Sequence, residues 1–401
     1  MRILVVFAIL LFVPLASSAQ LAFVGDESLR ELPGSGTSAD PYLIRDLVIN
    51  ATNDTGILIR NTSVFILIKN VSIVGGNKRP GIILENVKNV RIENVRIIRC
   101  SYGIKIVSSK NITIVNSIFK GNLYCYWKSE FAGDADCKGG AIFADYSRNL
   151  YIINNSFVPY SSLFSNIYGV YLVSVRNSKI YNNRFVGSIK CYPSAAFGGY
   201  CKGAAIYLTR SNENEIVGNL IYLPMSGGME YASEVYGIYL SGVNNSIYLN
   251  DFYGEEVSYQ IDMGVGFYYI FPRSKGKNTF HSPKVVYEFA NETFEGFLGN
   301  YWDSYKEVDT EGDGIIDTPF IVDHYPLALP SENYRIIRPA EKIKTITNSS
   351  TLISNTSATP SSILSTSSTS SPTFSQEEEN LKYMGTLLVL ATILIILWRR
   401  K

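Results

Sequence analysis

Apolar and polar residues alternate along this chain in short runs rich in Val and Ile, and the runs repeat. In the segment 81–122, GIILENVKNVRIENVRIIRC is followed closely by GIKIVSSKNITIVNSIFKGN, with apolar residues at the same places in both copies. Gly103 follows Gly81 by about 22 residues, a spacing typical of solenoid coils. Period-two alternation of β-branched residues predicts strands. We therefore predict an all-β fold, a right-handed single-stranded parallel β-helix with three short strands in each coil.

Asparagine recurs at two fixed places, about eight and thirteen residues after the residue that opens a coil. Asn tolerates the left-handed backbone of a sharp corner, and its amide can bond its copy in the next coil. The alternative, that Asn is merely common in turns, explains fixed offsets poorly. The two predicted ladders comprise Asn89, Asn94, Asn111, Asn116, Asn149, Asn154, Asn177, Asn182, Asn245 and Asn250.

The predicted coils occupy residues 56–254, between an N-terminal cap at 20–55 and a C-terminal cap at 255–330. They open at Gly56, Gly81, Gly103, Ala141, Gly169, Ala205 and Gly237. Insertions at 123–139, 161–168, 189–203 and 225–236 all follow the third strand of a coil. They should therefore emerge from one corner, and insertions on one edge of a repeat array commonly mark its binding face.

Two of these corner loops resemble each other, since each opens with Cys-Tyr and closes with Cys-Lys-Gly. The simplest interpretation is a disulfide within each loop, Cys125 with Cys137 and Cys191 with Cys201. Such a bridge contributes about 3 kcal/mol in an exported protein. Four cysteines permit other pairings. Cys100 is either a buried thiol or a rival partner for Cys125.

The same two loops concentrate aromatic residues, which stack on sugar rings and anchor protein interfaces. The alternative is that they give each loop a small core of its own. We predict a recognition surface for a glycan or a cell-envelope protein. Its candidate ligand-binding residues are Tyr124, Tyr126, Trp127, Phe131, Tyr192, Phe197 and Tyr200.

A D-x-E-x-D-G-x-x-D pattern lies near the end of the repeats. Closely spaced carboxylates with a Gly for the turn suit a structural Ca²⁺ ion. The alternative is an acidic turn that closes the solenoid without metal. The candidate metal ligands are Asp309, Glu311, Asp313 and Asp317.

The two ends of the chain predict export and membrane anchoring. Residues 1–19 have the pattern of a signal peptide, residues 331–380 form a Ser/Thr-rich stalk, and residues 381–401 form a transmembrane anchor with a basic tail. N-glycosylation sequons are dense. We predict a single-pass glycoprotein of the cell membrane whose N-terminal domain is extracellular.

The chain resembles the NosD-like β-helix proteins, of the repeat group shared by carbohydrate-binding proteins and sugar hydrolases. GSGTSADPYLI at 34–44 and GNYWDSYKEVDTEGDGIIDTP at 299–319 are similar to the opening and closing segments of archaeal members. The founding activity of the family implies a copper-handling accessory protein. Copper sites favour His, Met and Cys, whereas this chain has two His, His281 and His324, and five unclustered Met.

Catalysis would require further groups on the loop side. A glycosidase needs two carboxylates, and a lyase needs a base beside calcium. The candidate carboxylates are Asp145, Glu130, Asp134 and Asp136, and the candidate bases are Lys138 and Lys202. None lies in a recognisable β-helix hydrolase or lyase motif, so we favour recognition and keep a polysaccharide hydrolase or lyase as the alternative. A net charge of +1, without a basic block outside the two ends of the chain, excludes nucleic acid.

Overall fold

The structure, a computed structural model, describes residues 19–121, 124–127, 135–158, 165–187, 201–222, 233–254, 257–261, 264–269 and 273–340. The chain divides into two units, Met1–Lys342 and Ile343–Lys401. The predicted signal peptide, most of the predicted stalk and the predicted anchor lie outside the described residues, except Ala19 at the end of the first. Within the described ranges, no helix is long and apolar enough to cross a membrane.

The described strands follow one another with two single-turn 3₁₀ helices, Asp26–Leu29 and Ser331–Asn333. The first strands are β1 (Ala19–Val24), β2 (Tyr42–Ala51), β3 (Thr55–Thr62), β4 (Ile66–Gly75), β5 (Ile82–Glu93), β6 (Arg96–Ile98), β7 (Tyr102–Val107), β8 (Lys110–Val115) and β9 (Ile118–Lys120). The next are β10 (Tyr124–Trp127), β11 (Ala135–Asp145), β12 (Arg148–Ile153), β13 (Ser156–Val158), β14 (Ser165–Val173), β15 (Lys179–Tyr181), β16 (Arg184–Val186), β17 (Cys201–Thr209), β18 (Glu215–Val217) and β19 (Leu220–Tyr222). The last are β20 (Ser233–Ser241), β21 (Ser246–Tyr248), β22 (Asp251–Tyr253), β23 (Val257–Ile261), β24 (Gly264–Tyr269), β25 (Arg273–Lys275), β26 (Val285–Phe289), β27 (Glu292–Gly296), β28 (Tyr301–Trp302) and β29 (Arg335–Pro339).

These strands stack turn upon turn into a parallel solenoid, as the alternation predicts. The first face contains β1, β3, the start of β5, β7, β11, β14, β17 and β20. The second face contains the end of β5, β8, β12, β15, β18 and β21, and the third contains β6, β9, β13, β16, β19, β22 and β28. The inward residues of the first face lie in register, namely Ile82, Ile104, Ile142, Val170, Ile206 and Ile238.

The solenoid begins earlier than the predicted first coil. Strand β1 pairs with β3, and β2 pairs with β4 over its whole length, both in parallel. The segment that we assigned to the N-terminal cap therefore supplies strands to one more turn. The 3₁₀ helix that follows β1 adds Leu29, which is fully buried in the same core.

The interior is mainly aliphatic and contains an aromatic stack inside the third face. Phe157 lies between Phe119 and Phe185, with ring centroids 5.3 and 4.5 Å apart and nearly parallel planes. Further along, Phe252 stacks on Trp302 at 4.3 Å. In-register stacking repeats each interior position in the next turn, so aromatic rings meet face to face along the axis.

Asparagine marks the corners, and part of the predicted pattern is confirmed. Asn111 donates to the side-chain oxygen of Asn89, and Asn149 donates to that of Asn111, each at 3.0 Å. Asn94 donates to Asn70 at 2.7 Å. The eight predicted positions from Asn89 to Asn182 all have positive φ, between 52 and 59°. The left-handed corner conformation therefore explains the choice of Asn at these places.

The assignment of Asn245 and Asn250 to these corner positions is wrong. The corner residues of that turn are Asn244 and Leu249, with φ of 58 and 55°. Asn245 and Asn250 lie one residue further on, with fully buried side chains. In the coil opened by Gly237, both corners come one residue earlier than our fixed count predicts.

Those two residues belong to buried ladders that we did not predict. Along the longer one, each side-chain amide donates to the amide oxygen of the next turn at 2.9–3.0 Å. Its members are Asn155, Asn183, Asn219, Asn250 and Asn300. A shorter ladder joins Asn214, Asn245 and Asn278. These amides satisfy corner backbone groups inside the solenoid, where an unpaired group would be costly.

The C-terminal region closes the solenoid with a small antiparallel sheet of β27, β26 and β29. Its own apolar core includes Tyr287, Leu298 and Tyr334. Residues 331–339, which we assigned to the stalk, form a 3₁₀ helix and strand β29 here. The folded body therefore continues past the predicted boundary at residue 330.

Candidate functional site

The outward side of the first face contains a line of aromatic rings in contact with one another, which we call the aromatic row: Phe143, Tyr171, Tyr207 and Tyr239. They occupy the same register position in β11, β14, β17 and β20. Successive ring centroids are 5.4, 5.1 and 4.3 Å apart. Their chain neighbours Ala144, Leu172, Leu208 and Leu240 are buried, so strand alternation directs the rings outward.

A second set of rings supports this row from one side. Tyr168 contacts Tyr171 at 4.7 Å, and Tyr236 contacts Tyr239 at 5.3 Å. Tyr236 is fully buried, whereas Tyr207 and Tyr239 are half-buried. Burial raises the pKa of Tyr171 and of Tyr207 above the ordinary value. Their hydroxyls therefore stay protonated at neutral pH and can donate hydrogen bonds.

The predicted insertions adjoin this face. They leave the solenoid after β9, β13, β16 and β19, and the chain returns in β11, β14, β17 and β20. The common position after the third strand is thus as predicted, and the chain returns in the strands that carry the aromatic row. The strands β10 and β11, which hold Tyr124, Tyr126, Trp127 and Asp136, form an antiparallel hairpin. The candidates Phe131, Tyr192, Phe197, Tyr200, Glu130, Asp134 and Cys191 lie outside the described residues.

The hairpin register bears on the cysteines. Cys125 and Cys137 are directly opposite partners in β10 and β11, and opposite positions in an antiparallel pair are separated by a Cα distance that a disulfide can span. The pairing stays a prediction, as does that of Cys191 with Cys201. Cys100 is fully buried, its Sγ donates to the carbonyl of Ile98 at 3.7 Å, and burial raises its pKa to about 12.

Of the candidate catalytic carboxylates, Asp145 is the one whose side chain the structure describes. It lies two residues after Phe143 on β11, on the same side of the strand. Its Oδ1 is buried without a hydrogen-bond partner among the described residues. Glu85 occupies the same register position two turns away, about 10 Å by strand spacing. Arg60 holds Glu85 in an ion pair at 2.6 Å. The described part of this face therefore offers one unpaired carboxylate.

The acidic turn at 309–317 directs its carboxylates at its own backbone. Asp309 accepts from the N–H groups of Gly312 and Gly314, each at 2.8 Å. Asp313 accepts from Ile315, and Asp317 accepts from Thr310. Burial, with the charges of Asp309 and Asp317, raises the pKa of Asp313. Glu311 is exposed.

The next question is whether the described residues form a metal site. Within them, no group of three or more His, Cys, Asp or Glu side chains could hold a metal ion. Calcium at the acidic turn stays a prediction. His281 packs edge-on against Phe297 and Tyr325, and its Nδ1 lies 2.7 Å from the carbonyl of Ser282. His324 is exposed. These histidines do not converge with other soft ligands, so the described residues do not fit a copper site.

The fold and the outer aromatic face define a parallel β-solenoid with a repeated surface motif. A family model described as periplasmic copper-binding protein (NosD) matches residues 42–307, so the chain belongs to the NosD family, as the resemblance predicts. A comparison with curated proteins found no match. Among solved structures, a chain titled Geobacillus virus E2 ORF18 is similar at 12% identity, with a TM-score of 0.25, over 68% of this chain and 59% of that chain. At that TM-score the likeness does not bear on function.

The aromatic row was not predicted from the sequence, which placed the candidate binding surface on the insertions. The signal was nevertheless present, since each ring of the row stands two places after a coil-opening residue: Ala141, Gly169, Ala205 and Gly237. Alternation assigns that place to the outer surface. An aromatic residue repeated there in consecutive turns predicts an outward stack.

Proposed function

We propose that this NosD-family protein is a cell-surface recognition module that binds carbohydrate without turning it over. The observation that carries the proposal is the aromatic row, a line of rings on the outside of the first face. Outer strand positions are usually polar. Four aromatic side chains in line there create the kind of surface that binds ligands.

The geometry of the row suits an extended chain of sugars. The rings repeat once per turn, at the strand spacing of about 4.8 Å. Apolar C–H faces of sugars pack on aromatic rings, and the Tyr hydroxyls supply polar contacts. The rings of Tyr207 and Tyr239 are nearly parallel, with an interplanar angle of 6°. The Phe143–Tyr171 and Tyr171–Tyr207 pairs are edge-to-face, at 77 and 86°, so a glycan that runs along the solenoid axis would meet ring faces and ring edges in alternation.

The corner loops extend this surface in the proposal. Their candidate residues, Tyr124 and Tyr126 among them, belong to segments that join the edge of the first face. An envelope protein is the other ligand class that aromatic anchors suit. The predicted stalk and anchor would hold the solenoid outside the membrane, which agrees with a family described as periplasmic.

The alternative is a polysaccharide hydrolase or lyase at the same place. The unpartnered buried oxygen of Asp145, next to the aromatic row, favours it. Release of reducing sugars, or absorbance from unsaturated products, would establish turnover. Loss of that activity in Asp145→Asn would then locate the site.

Binding by the full chain in detergent to a glycan panel tests the proposal. The variant is Tyr171→Ala with Tyr207→Ala, and the control is Tyr222→Ala, an exposed ring on the third face. Loss of two stacking contacts should weaken binding at least about tenfold. The control should bind like wild type. Equal affinity of all three proteins for every bound glycan would reject the aromatic row as the site.

A further inference from the structure

Basic side chains lie in register at the corner between the first and second faces. Lys88 pairs with Lys110, Lys110 with Arg148, and Arg148 with Arg176, in parallel through four consecutive turns. We call this set the basic ladder. The strand spacing puts neighbouring members about 4.8 Å apart at the backbone. Like charges directly opposite each other on neighbouring strands are destabilising.

Three basic residues elsewhere on the solenoid are matched by acids in the adjacent turn. Arg60 pairs with Glu85 at 2.6 Å, Lys69 with Glu93 at 3.1 Å, and Lys179 with Glu215 at 3.3 Å. The basic ladder has no such match, since the ion pairs among the described residues include none of its four members. Its charges are available to an external anion.

The ladder lines a surface groove with a volume of about 450 Å³. The groove is also lined by the corner residues two places before this register position in each turn: Asn86, Ser108, Tyr146, Ser174 and Arg210. Arg210 adds a fifth cation. A groove of this size is within the range of sites that bury small ligands or segments of a polymer.

Two of these corner positions hold residue types that are unusual for their backbone conformation. The corner position has positive φ in every one of these turns, between 47 and 53°. Asn and Ser occupy it in three of them, whereas Tyr146 and Arg210 bring large side chains to it. Tyr146 is 67% exposed. A bulky residue with positive φ costs free energy, and such strain concentrates at functional sites.

We propose that this basic corner groove binds a linear anionic polysaccharide, one whose uronate or sulfate groups follow the basic ladder along the solenoid axis. Successive sugars of an extended chain advance by about the spacing of the turns. The side chain of Tyr146 supplies a ring for stacking beside the cations. The chain as a whole has a net charge of only +1, so no broad positive field favours nucleic acid. The inference relies on the proposed function only for the ligand being a glycan.

The probes are polygalacturonate and neutral dextran, with the full chain in detergent. The groove variant is Arg148→Asn with Arg176→Asn, because Asn212 holds that register position in the next turn. The control is Arg96→Asn with Arg184→Asn, two exposed residues of the third face, which removes the same charge. Wild type and control should bind polygalacturonate alike. The groove variant should bind at least tenfold more weakly and with a reduced dependence on salt.

Tyr146→Ser provides a second test, since Ser stands at this corner in the turns on either side. The thermal midpoint should stay or rise as strain is relieved, while affinity for polygalacturonate falls severalfold. Equal polygalacturonate affinity of the groove and control variants would overturn the proposal. So would binding of a single-stranded oligonucleotide as tight as that of polygalacturonate at equal charge. Dextran binding that is lost in the aromatic-row variant, but kept in the groove variant, would show that the aromatic row and the groove are separate binding sites.

Discussion

Asn300 donates two hydrogen bonds to one oxygen of Asp323, from its backbone N–H at 2.7 Å and from its side-chain amide at 3.1 Å. Trp302 donates its indole N–H to the same oxygen at 3.1 Å. A fully buried carboxylate thus ends the buried ladder of amides. The ladder needs an acceptor at its last position, and a carboxylate accepts without offering a donor in return.

The buried ladder should contribute strongly to stability. Asn219 accepts from Asn183 and donates to Asn250 and to the carbonyl of Ile180. Asn219→Ala leaves several of these buried groups unpaired and should lower the free energy of unfolding by about 3 kcal/mol or more. Chemical denaturation monitored by circular dichroism measures the change.

Asn182→Gly is the matched control, because Asn182 is an exposed corner residue with a φ of 53°. Glycine adopts that conformation readily, so the change should stay within about 1 kcal/mol. A loss as large as that of Asn219→Ala would mean that the corner amides, and not the buried ladder, stabilise the turns.

Stability should fall as pH rises through the titration of Asp323. Burial raises the pKa of this carboxyl to about 6 from its ordinary value of 3.8. Between these values the folded state binds a proton that the unfolded state does not, so the stabilisation is full below about pH 4 and is lost above about pH 6. The loss is of order 3 kcal/mol. Burial raises the pKa of Asp251 to about 6 as well, so both carboxyls act in the same direction.

Denaturant unfolding between pH 4 and 7 measures this dependence. Asp323→Asn should flatten part of the slope, and Asp251→Asn should remove a further part. Asp40→Asn, at an exposed position, should leave the slope as in wild type. A slope that is unchanged in Asp323→Asn would show that this carboxyl does not titrate in the window.

The aromatic stack inside the third face should be as important as the aliphatic core. Phe157 is 1% exposed and lies between two rings. Phe157→Ala should cost about 3–5 kcal/mol, since it removes a buried ring and leaves a cavity. Ile118→Ala, in the same face but 40% exposed, should cost about 1 kcal/mol or less. Comparable losses in thermal or denaturant unfolding would contradict the account of the core.

The hairpin register gives a direct test of the cysteine pairing. Peptide mapping of the non-reduced protein by mass spectrometry should recover Cys125 linked to Cys137 and Cys191 linked to Cys201. Reduction should lower the thermal midpoint, because each bridge restricts the unfolded chain. A peptide that links Cys125 to Cys100 or to Cys191 would refute the pairing within loops.

Local patterns in the sequence were sufficient to predict the solenoid. The alternation of Val and Ile with polar residues predicted the strands. The repeated coil-opening residues Gly81 and Gly103 predicted the register, because in-register stacking reproduces each local pattern in the next turn. The resemblance likewise identified the NosD family. The first turn escaped prediction because strand β1 is separated from β2 by a segment that does not repeat.

The buried ladder was harder to predict, because adjacent asparagines have different structural roles. Asn154 and Asn182 turn the corner, whereas Asn155 and Asn183 face the interior. The pairs of adjacent asparagines are visible in the sequence. A count from the coil-opening residue does not show which asparagine of a pair is buried, because in some turns, such as that of Asn250, the corner is displaced by one residue. The basic ladder was missed for a related reason, since its members are far apart in the chain and meet only through the register.

Hydroxyl-radical footprinting of the full chain, with and without the bound glycan, tests the central claim most directly. Ligand should protect the outward rings of the first face, Tyr207 and Tyr239, by severalfold. Tyr222 and Tyr305, which lie elsewhere on the surface, should be oxidised equally in both states. Protection of Tyr222 or Tyr305 with none at Tyr207 and Tyr239 would contradict glycan recognition by the aromatic row.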